Sequence, residues 1–428
     1  MANHSSNELS QFPAIRSLAR QIIGSVEDII NYLESNNFPA PTFDLSSPGP
    51  PETVEYQTLH SGLKTSLEDL LLLVDGPKRF WRQFCCLGYD LGALQIALDF
   101  EFFTLVPLAG ELSVDDLARK AGLHADRTGR IVRQLITYGI FAEHEAGVIS
   151  HSSASLVMQD DEFRSMVHYG MDEMLKAVAD CGDYARAHPF EADSKHNPFV
   201  THHGSGLFEY YAKYPAKAER FAKAMAGWRK MDAHLDSLLQ IGFNWSACKG
   251  TVVDVGGGNG HISRSFARLF PHLQFVVQDS NTDMLAQGKT MLTDDISNRV
   301  SFVQHSFFDP QPERKASAFL IRQCTHNWAD PDVVNIFKSM VPGLEGSAPD
   351  TPLLINDIVL PELGAWPRHR ERLARQVDMI MLVNCGAKQR TRAEFDALLK
   401  EADSRYEIRN VLDDGSLGLL EVYLVQSR

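Results

Sequence analysis

Apolar residues recur at helical spacing through Ile15, Leu18, Ile22, Ile23, Val26, Ile29, Ile30 and Leu33, so residues 10–40 predict an amphipathic helix that turns them to one face. The run PAPTFDLSSPGPPE breaks that pattern. A second helical stretch, LKTSLEDLLLLV, is expected to end at Asp75-Gly76-Pro77, because proline has no N–H to continue the ladder. From Glu111 to Ser152 the text reads as helix, turn, helix and short hairpin, the order of a winged helix, with Ser113 as an N-cap and Gly122 as a stop. Residues 155–245 are again helical, with FEYYAKYPAKAERFAKAMAGW as the clearest segment.

After Thr251 the period changes. Short β-branched runs (TVVDV, QFVVQ, VSFVQ, AFLIRQ, PLLINDIVL) alternate with helical stretches, which predicts a parallel sheet with crossover helices. The end, YEIRNVLDDGSLGLLEVYLV, predicts an antiparallel hairpin around a DDG turn. The expected fold is therefore α/β: a Rossmann-like domain with a mostly parallel sheet at 246–428, preceded by a helical and winged-helix dimerisation domain at 1–155 and a helical connector lining a substrate pocket at 156–245.

Composition narrows the partners. A net charge of −14 opposes the clustered Lys and Arg that a nucleic acid or an anionic membrane surface requires, so the winged helix is not read as a DNA reader despite Arg127, Arg130 and Arg133. No run of about 18 apolar residues is present, and MANHSSNELSQF lacks the features of a signal peptide, so the expectation is a cytoplasmic protein. The six cysteines are scattered without metal-ligand spacing and are expected to be buried thiols, and no metal site is expected.

The chemistry starts at Val253-Asp254-Val255-Gly256-Gly257-Gly258-Asn259-Gly260, a glycine loop between a predicted strand and helix. Glycine there lets backbone approach a ligand closely. Asp279, ending the next strand, stands where an acidic side chain can take both hydroxyls of a ribose. Asp254 before the loop suits an amine-bearing ligand rather than a pyrophosphate, and the spacing is GGGxG rather than the GxGxxG of dinucleotide sites. Together these point to S-adenosylmethionine (SAM).

At this point the chain resembles the plant and fungal class I small-molecule O-methyltransferases of the caffeate type, through VDVGGGNG, VVQD, QHSFFDPQP, FLIRQCTHNWAD, LLINDIVLP and GAKQRT. The resemblance implies a homodimer acting on a small-molecule substrate. It places Gly256, with Gly257 and Gly258, at the methionine part of SAM, Asp279 at the ribose, Ser306 and Phe307 beside adenine, and Arg322 at the basic position preceding the catalytic histidine. It makes His326 the general base and Asp357 the acid that orients it. Three neutral residues depart from the family pattern: Ser306 and Gln389 stand where acids are usual, and Asn327 replaces an aspartate beside the base. Each removes negative charge near the reacting centre. Some fungal relatives of this architecture keep SAM and catalyse pericyclic reactions without methyl transfer, so both chemistries stay open, as does a noncatalytic SAM-binding regulator. His151 is a candidate donor to the pocket or a packing residue of the wing.

Overall fold

The chain is described by a computed structural model over residues 12–231, 234–412 and 417–425. It divides into two compact units. The first runs to Lys176 and takes in Tyr211–Met231 and Pro367–His369; the second takes Ala177–Tyr210, Asp232–Trp366 and Arg370–Arg428. The stretch expected to form one connector is thus shared between the two.

In the first unit, the opening helix spans Pro13–Ser35 with proline in its first turn, where a missing N–H costs nothing. The next spans Val54–Asp99, and Thr53 Oγ1 caps it by accepting the Tyr56 N–H at 3.3 Å. Asp75-Gly76-Pro77 marks a kink and not an end. Gly76 takes φ 67° and ψ 172°, outside helical space, and Pro77 then opens a new helical segment that runs to Asp99. Along this helix Leu71, Val74, Trp81 and Phe84 are each about half exposed or more within the unit. Cys85 and Cys86 are exposed there too, which corrects the expectation that all six thiols are buried: they sit on the flank that the unit's own core leaves uncovered.

The next motif along the chain has the expected parts. Ser113 Oγ accepts the Asp116 N–H at 3.0 Å to start the helix Val114–Ala121, and Gly122 ends it at φ 69°. The helix Ala125–Ile136 comes after it, and β1 (Leu112–Ser113), β2 (Ala142–Glu145) and β3 (Val148–Ser150) form an antiparallel sheet in the order β1-β3-β2. Leu117, Val132, Phe141 and Ile149 close its core beside Phe102 and Phe103. His151 is buried inside this unit, with Nδ1 2.9 Å from Ser155 Oγ and Nε2 3.1 Å from the Val106 carbonyl, so both ring nitrogens serve packing.

The second unit is built on seven strands: β4 (Gly250–Val255), β5 (Leu273–Asp279), β6 (Val300–Gln304), β7 (Ala318–Arg322), β8 (Leu353–Asp357), β11 (Tyr406–Leu412) and β12 (Gly418–Leu424). Their order is β11-β12-β8-β7-β4-β5-β6, parallel from β8 to β6, with β12 antiparallel to both of its neighbours. The DDG turn between β11 and β12 lies outside the described residues. The segment read as one strand, PLLINDIVL, is two: the chain leaves the large sheet after Asp357, and β9 (Val359–Leu360) pairs instead with β10 (Arg390–Thr391). Alternation along the strands serves both faces of the sheet. Val253, Val255, Phe319 and Ile321 pack against Val333 and Phe337, while Val252, Phe275, Val277 and Leu320 pack against Ile262 and Phe266. Among the described residues no helix is long and apolar enough to cross a membrane.

Phe319 has no exposed surface. Phe319→Ala should therefore cost about 3–5 kcal/mol of unfolding free energy, seen as a lower urea midpoint with an unchanged slope. A loss under about 1 kcal/mol would show that this face of the sheet repacks freely.

Candidate active site

Parallel pairing brings residues far apart in sequence to one edge of the sheet. Val255 is level with Gln278 on one side and with Ile321 on the other, and Arg322 is level with Asn356, so the carboxyl ends of β5, β4, β7 and β8 lie side by side. The strand order reverses between β4 and β7, the position where open α/β sheets leave a crevice for a ligand.

The glycine loop leaves β4 at that position. Gly256, Gly258 and Gly260 all adopt positive φ, at 71°, 57° and 68°. Gly256 and Gly257 donate their N–H groups to the Gln278 carbonyl at 2.8 and 3.0 Å, and Gly258 N–H donates to Asp279 Oδ2 at 2.9 Å. A Cβ at Gly256 would lie 2.9 Å from Cys324 Sγ and 3.2 Å from the Phe307 ring, so the loop forms a cradle that a side chain would fill. Asp279 is held by a second bond, from Asn281 N–H to Oδ1 at 2.8 Å. Asp254 is nearly fully buried beneath Gly257, where an added Cβ would stand 2.5 Å from its carboxyl carbon, and Ser263 donates to it at 2.6 Å. Its visible work is to brace the loop. Burial pushes its carboxyl up to about 6, against the pull of Ser263 and Arg322.

The loop after β6 carries Ser306 and Phe307. Ser306 Oγ accepts the Phe308 N–H at 3.3 Å, and the Phe307 ring lies edge-on to Trp328 at 5.9 Å. This loop is tied down by Ser339, which donates to the Phe307 carbonyl at 2.5 Å, and by Gln311, which exchanges two 2.9 Å amide bonds with the buried Gln278. Gln278 therefore fixes both halves of the cradle, through its backbone carbonyl on the glycine side and its side chain on the other. Arg322 donates to Asn356 Oδ1 at 3.0 Å and acts electrostatically on Asp254.

His326 sits in a 3-10 turn, Thr325–Asn327, just past β7. Its Nδ1 is 2.5 Å from Asp357 Oδ1. The same carboxylate accepts Thr325 Oγ1–H at 2.6 Å, the His326 N–H at 3.3 Å and the Ile358 N–H at 3.0 Å. Burial alone would raise the Asp357 carboxyl, but the charge and hydrogen bond of His326, with those of Thr325 and Ile358, hold it below its ordinary value. An ionised carboxylate only accepts, so Nδ1 carries a proton, and whenever the ring is neutral the lone pair falls to Nε2, the tautomer that can take a proton from a substrate. Cys324 lies between this turn and the cradle: its Sγ is 3.2 Å from the Arg322 carbonyl, which takes its hydrogen, and 3.7 Å from the Gly256 carbonyl, and burial pushes its thiol far above the usual range.

Gln389 is buried at 2% exposure. Its backbone N–H donates to Asp378 Oδ1 at 2.8 Å, but neither amide atom of its side chain has a hydrogen-bond partner among the described residues, so the structure does not bond it to His326. Sequence reasoning missed Thr325, Ser263 and the Gln278–Gln311 pair. The glutamine at the end of the apolar strand FVVQ was the one available signal, since a buried amide calls for a partner.

A reversing, mostly parallel sheet with a glycine cradle, a carboxylate at the next strand end and a histidine–aspartate pair beside it defines an enzyme of the Rossmann-like, SAM-binding class. The chain belongs to the O-methyltransferase family, whose domain model matches residues 185–405. It is 53% identical over 412 residues to O-methyltransferase sol2 of Alternaria solani, covering 96% of this chain and 95% of that protein. Among solved structures it resembles OxaC in complex with SAH and oxaline, with a TM-score of 0.74 at 18% identity over 97% of this chain and all of that one. It also resembles a protein described as a pericyclic reaction enzyme, with a TM-score of 0.70 at 18% identity over 86% and 95% of the two chains. The family's cofactor is SAM, and the cradle fits it: a close backbone approach at Gly256 and a carboxylate at Asp279 suit a molecule with an aminoacyl end and a ribose.

The Asp254 carboxyl gives a pH signature. In the unfolded chain it ionises near 4, and in the fold near 6, so the folded state holds an extra proton between those values and stability falls as pH rises through that window. Asp254→Asn removes this slope, and relative to the variant the wild type should lose on the order of 2–3 kcal/mol from pH 4 to pH 6. Urea unfolding of both proteins across that range measures it. Parallel stability curves would mean that the carboxyl is not desolvated as described.

Proposed function

We propose that this enzyme transfers the methyl group of SAM to a hydroxyl of a small aromatic or polyketide-type secondary metabolite, with His326 as general base. The observation that carries the reading is the His326–Asp357 pair, held at 2.5 Å on a turn whose neighbour Cys324 lies against Gly256 of the cradle. When bound, SAM supplies a methyl group already activated by its sulfonium. Gly256, Gly257 and Gly258 leave room for its methionine portion, Asp279 accepts the ribose hydroxyls, and Ser306, Phe307 and Arg322 border the rest of the cofactor. Asp254 supports the loop from beneath. His326 Nε2 takes the hydroxyl proton as the oxygen attacks, and Asp357 steadies the imidazolium that results. Gln389 adds a neutral amide to this surrounding. A pocket that would hold the acceptor hydroxyl between His326 and the cofactor's methyl group would supply much of the rate through orientation.

A second reading is supported by the neutral residues Ser306, Asn327 and Gln389 at positions where the family usually has acids: a pericyclase that holds SAM for its charge and transfers nothing. One experiment separates the two. Under the methyltransferase reading, Asp279→Ala weakens SAM binding in calorimetric titration, whereas His326→Ala keeps binding and loses about 10²–10⁴-fold in turnover. Mass spectrometry of a panel of phenols incubated with SAM should show a methylated product and S-adenosylhomocysteine in equal amounts. Turnover of the native substrate with SAM left intact would overturn methyl transfer and favour the pericyclase.

The helix pair and hairpin of the first unit are read as a winged helix used for association rather than for DNA, and the protein is placed in the cytoplasm. The solvent-facing Leu71, Val74, Trp81 and Phe84 support association of two copies through this unit. Sedimentation at micromolar concentration should report a homodimer, and Trp81→Glu with Phe84→Glu should shift it to monomer. A wild-type monomer would defeat this reading.

A further inference from the structure

The segment GAKQRT is absorbed by the proposed chemistry only through Gln389, yet its neighbour Arg390 makes more contacts with the site. Arg390 is among the largest fully buried side chains, with its guanidinium closed off from solvent. A guanidinium has five N–H donors, and each has an acceptor here. Nε and one Nη2 hydrogen go to Asp330 Oδ1 at 2.9 and 2.7 Å, and the other Nη2 hydrogen goes to the Trp328 carbonyl at 2.8 Å. The Nη1 pair goes to the carbonyls of Thr325 at 3.0 Å and Lys388 at 3.2 Å.

Thr325 and Trp328 bracket His326 and Asn327. A three-residue 3-10 turn has little hydrogen bonding of its own to fix its shape, and Asp357 grips it from one side only, through Thr325 and His326. Arg390 grips the carbonyls at both ends. Asp330 in turn holds the guanidinium and opens the helix Asp330–Glu345, and its second oxygen takes Lys388 Nζ at 3.0 Å. Arg390 is itself anchored, because Arg390 pairs with Val359 across β10 and β9, two residues beyond Asp357. The short strand β9, which follows the orienting carboxylate after one residue, thus sets the register of the arginine that clamps the turn. A lysine could not do this, since a single ammonium cannot serve a carboxylate and three carbonyls in one plane.

We infer that Arg390, backed by Asp330, is a positioning residue that fixes the His326 turn against Asp357 and so sets the geometry of the base. The inference rests on His326 being that base, but its main readout does not require turnover. In full-length protein labelled with ¹⁵N-histidine, the Nδ1 proton shared with Asp357 should give a downfield resonance that His326→Ala removes. In Arg390→Lys this proton should exchange with solvent about tenfold faster or more, while calorimetry gives a SAM affinity within about threefold of wild type, because no cradle residue touches the guanidinium. On any phenol that the wild type methylates, kcat should fall about 10–100-fold with KM for SAM unchanged. Asp330→Asn, at a half-exposed position, should move the same readouts in the same direction by less, and it carries the test if the lysine variant does not fold. An unaltered His326 resonance in either folded variant would overturn the inference, as would a loss of SAM affinity equal to the loss of turnover. Absence of methylation by the wild type, with the resonance still responding, would overturn the function and leave the clamp standing.

Discussion

The second unit's chemistry depends on one buried charge. Asp357 has almost no contact with solvent, and an isolated carboxylate in such a place would be neutral. It stays ionised because donors from three residues converge on it: the Thr325 hydroxyl, the backbone and ring of His326, and the backbone of Ile358. Those bonds do two jobs at once. They compensate the desolvation of the carboxylate, and they decide which ring nitrogen of His326 is left bare. β8 keeps its pairing through Asp357, and the next residue, Ile358, which supplies one of those donors, separates it from β9.

The cofactor cradle shows the same economy in backbone form. The carbonyl of Gln278 accepts two N–H groups of the glycine loop, and its side chain exchanges bonds with Gln311 beneath the Phe307 loop. Two loops that would otherwise move independently are therefore referred to one residue at the end of β5. Buried amide pairs of this kind are costly when left unbonded, and here each amide oxygen and each amide nitrogen is engaged.

Much of this is legible in the sequence, and the reasons differ by residue. The strands of the second unit stand out as β-branched runs, because a parallel strand covered on both faces has few polar positions to hide. Gly256 and Asp279 are legible because their spacing from a strand end is imposed by the fold. Charge alone assigns Asp254 to the ligand, whereas the structure sets its carboxyl under Gly257 with Ser263, a contact that no spacing rule reveals. Asp75-Gly76-Pro77 reads as a stop, but the signal for a helix end and that for a kink are the same three residues, and only the helical path of the chain beyond Pro77 tells them apart. Gln389 and Arg390 are neighbours in sequence with opposite surroundings, one buried without side-chain partners among the described residues and the other with every donor engaged. Gln389 lies just before β10 and Arg390 opens it, and two residues of strand give no readable period.

Cys324 bears on self-protection. Thiolates are stronger nucleophiles toward an activated methyl group than phenols are, and this sulfur lies against Gly256, the glycine proposed to make room for the methyl donor. Burial and the nearby carboxylates, Asp357, Asp254 and Asp279, make its ionisation unfavourable, so the sulfur remains a neutral thiol and does not compete with the acceptor. Under the proposed chemistry, the carboxylates beside His326 would also keep this thiol from being alkylated by the cofactor.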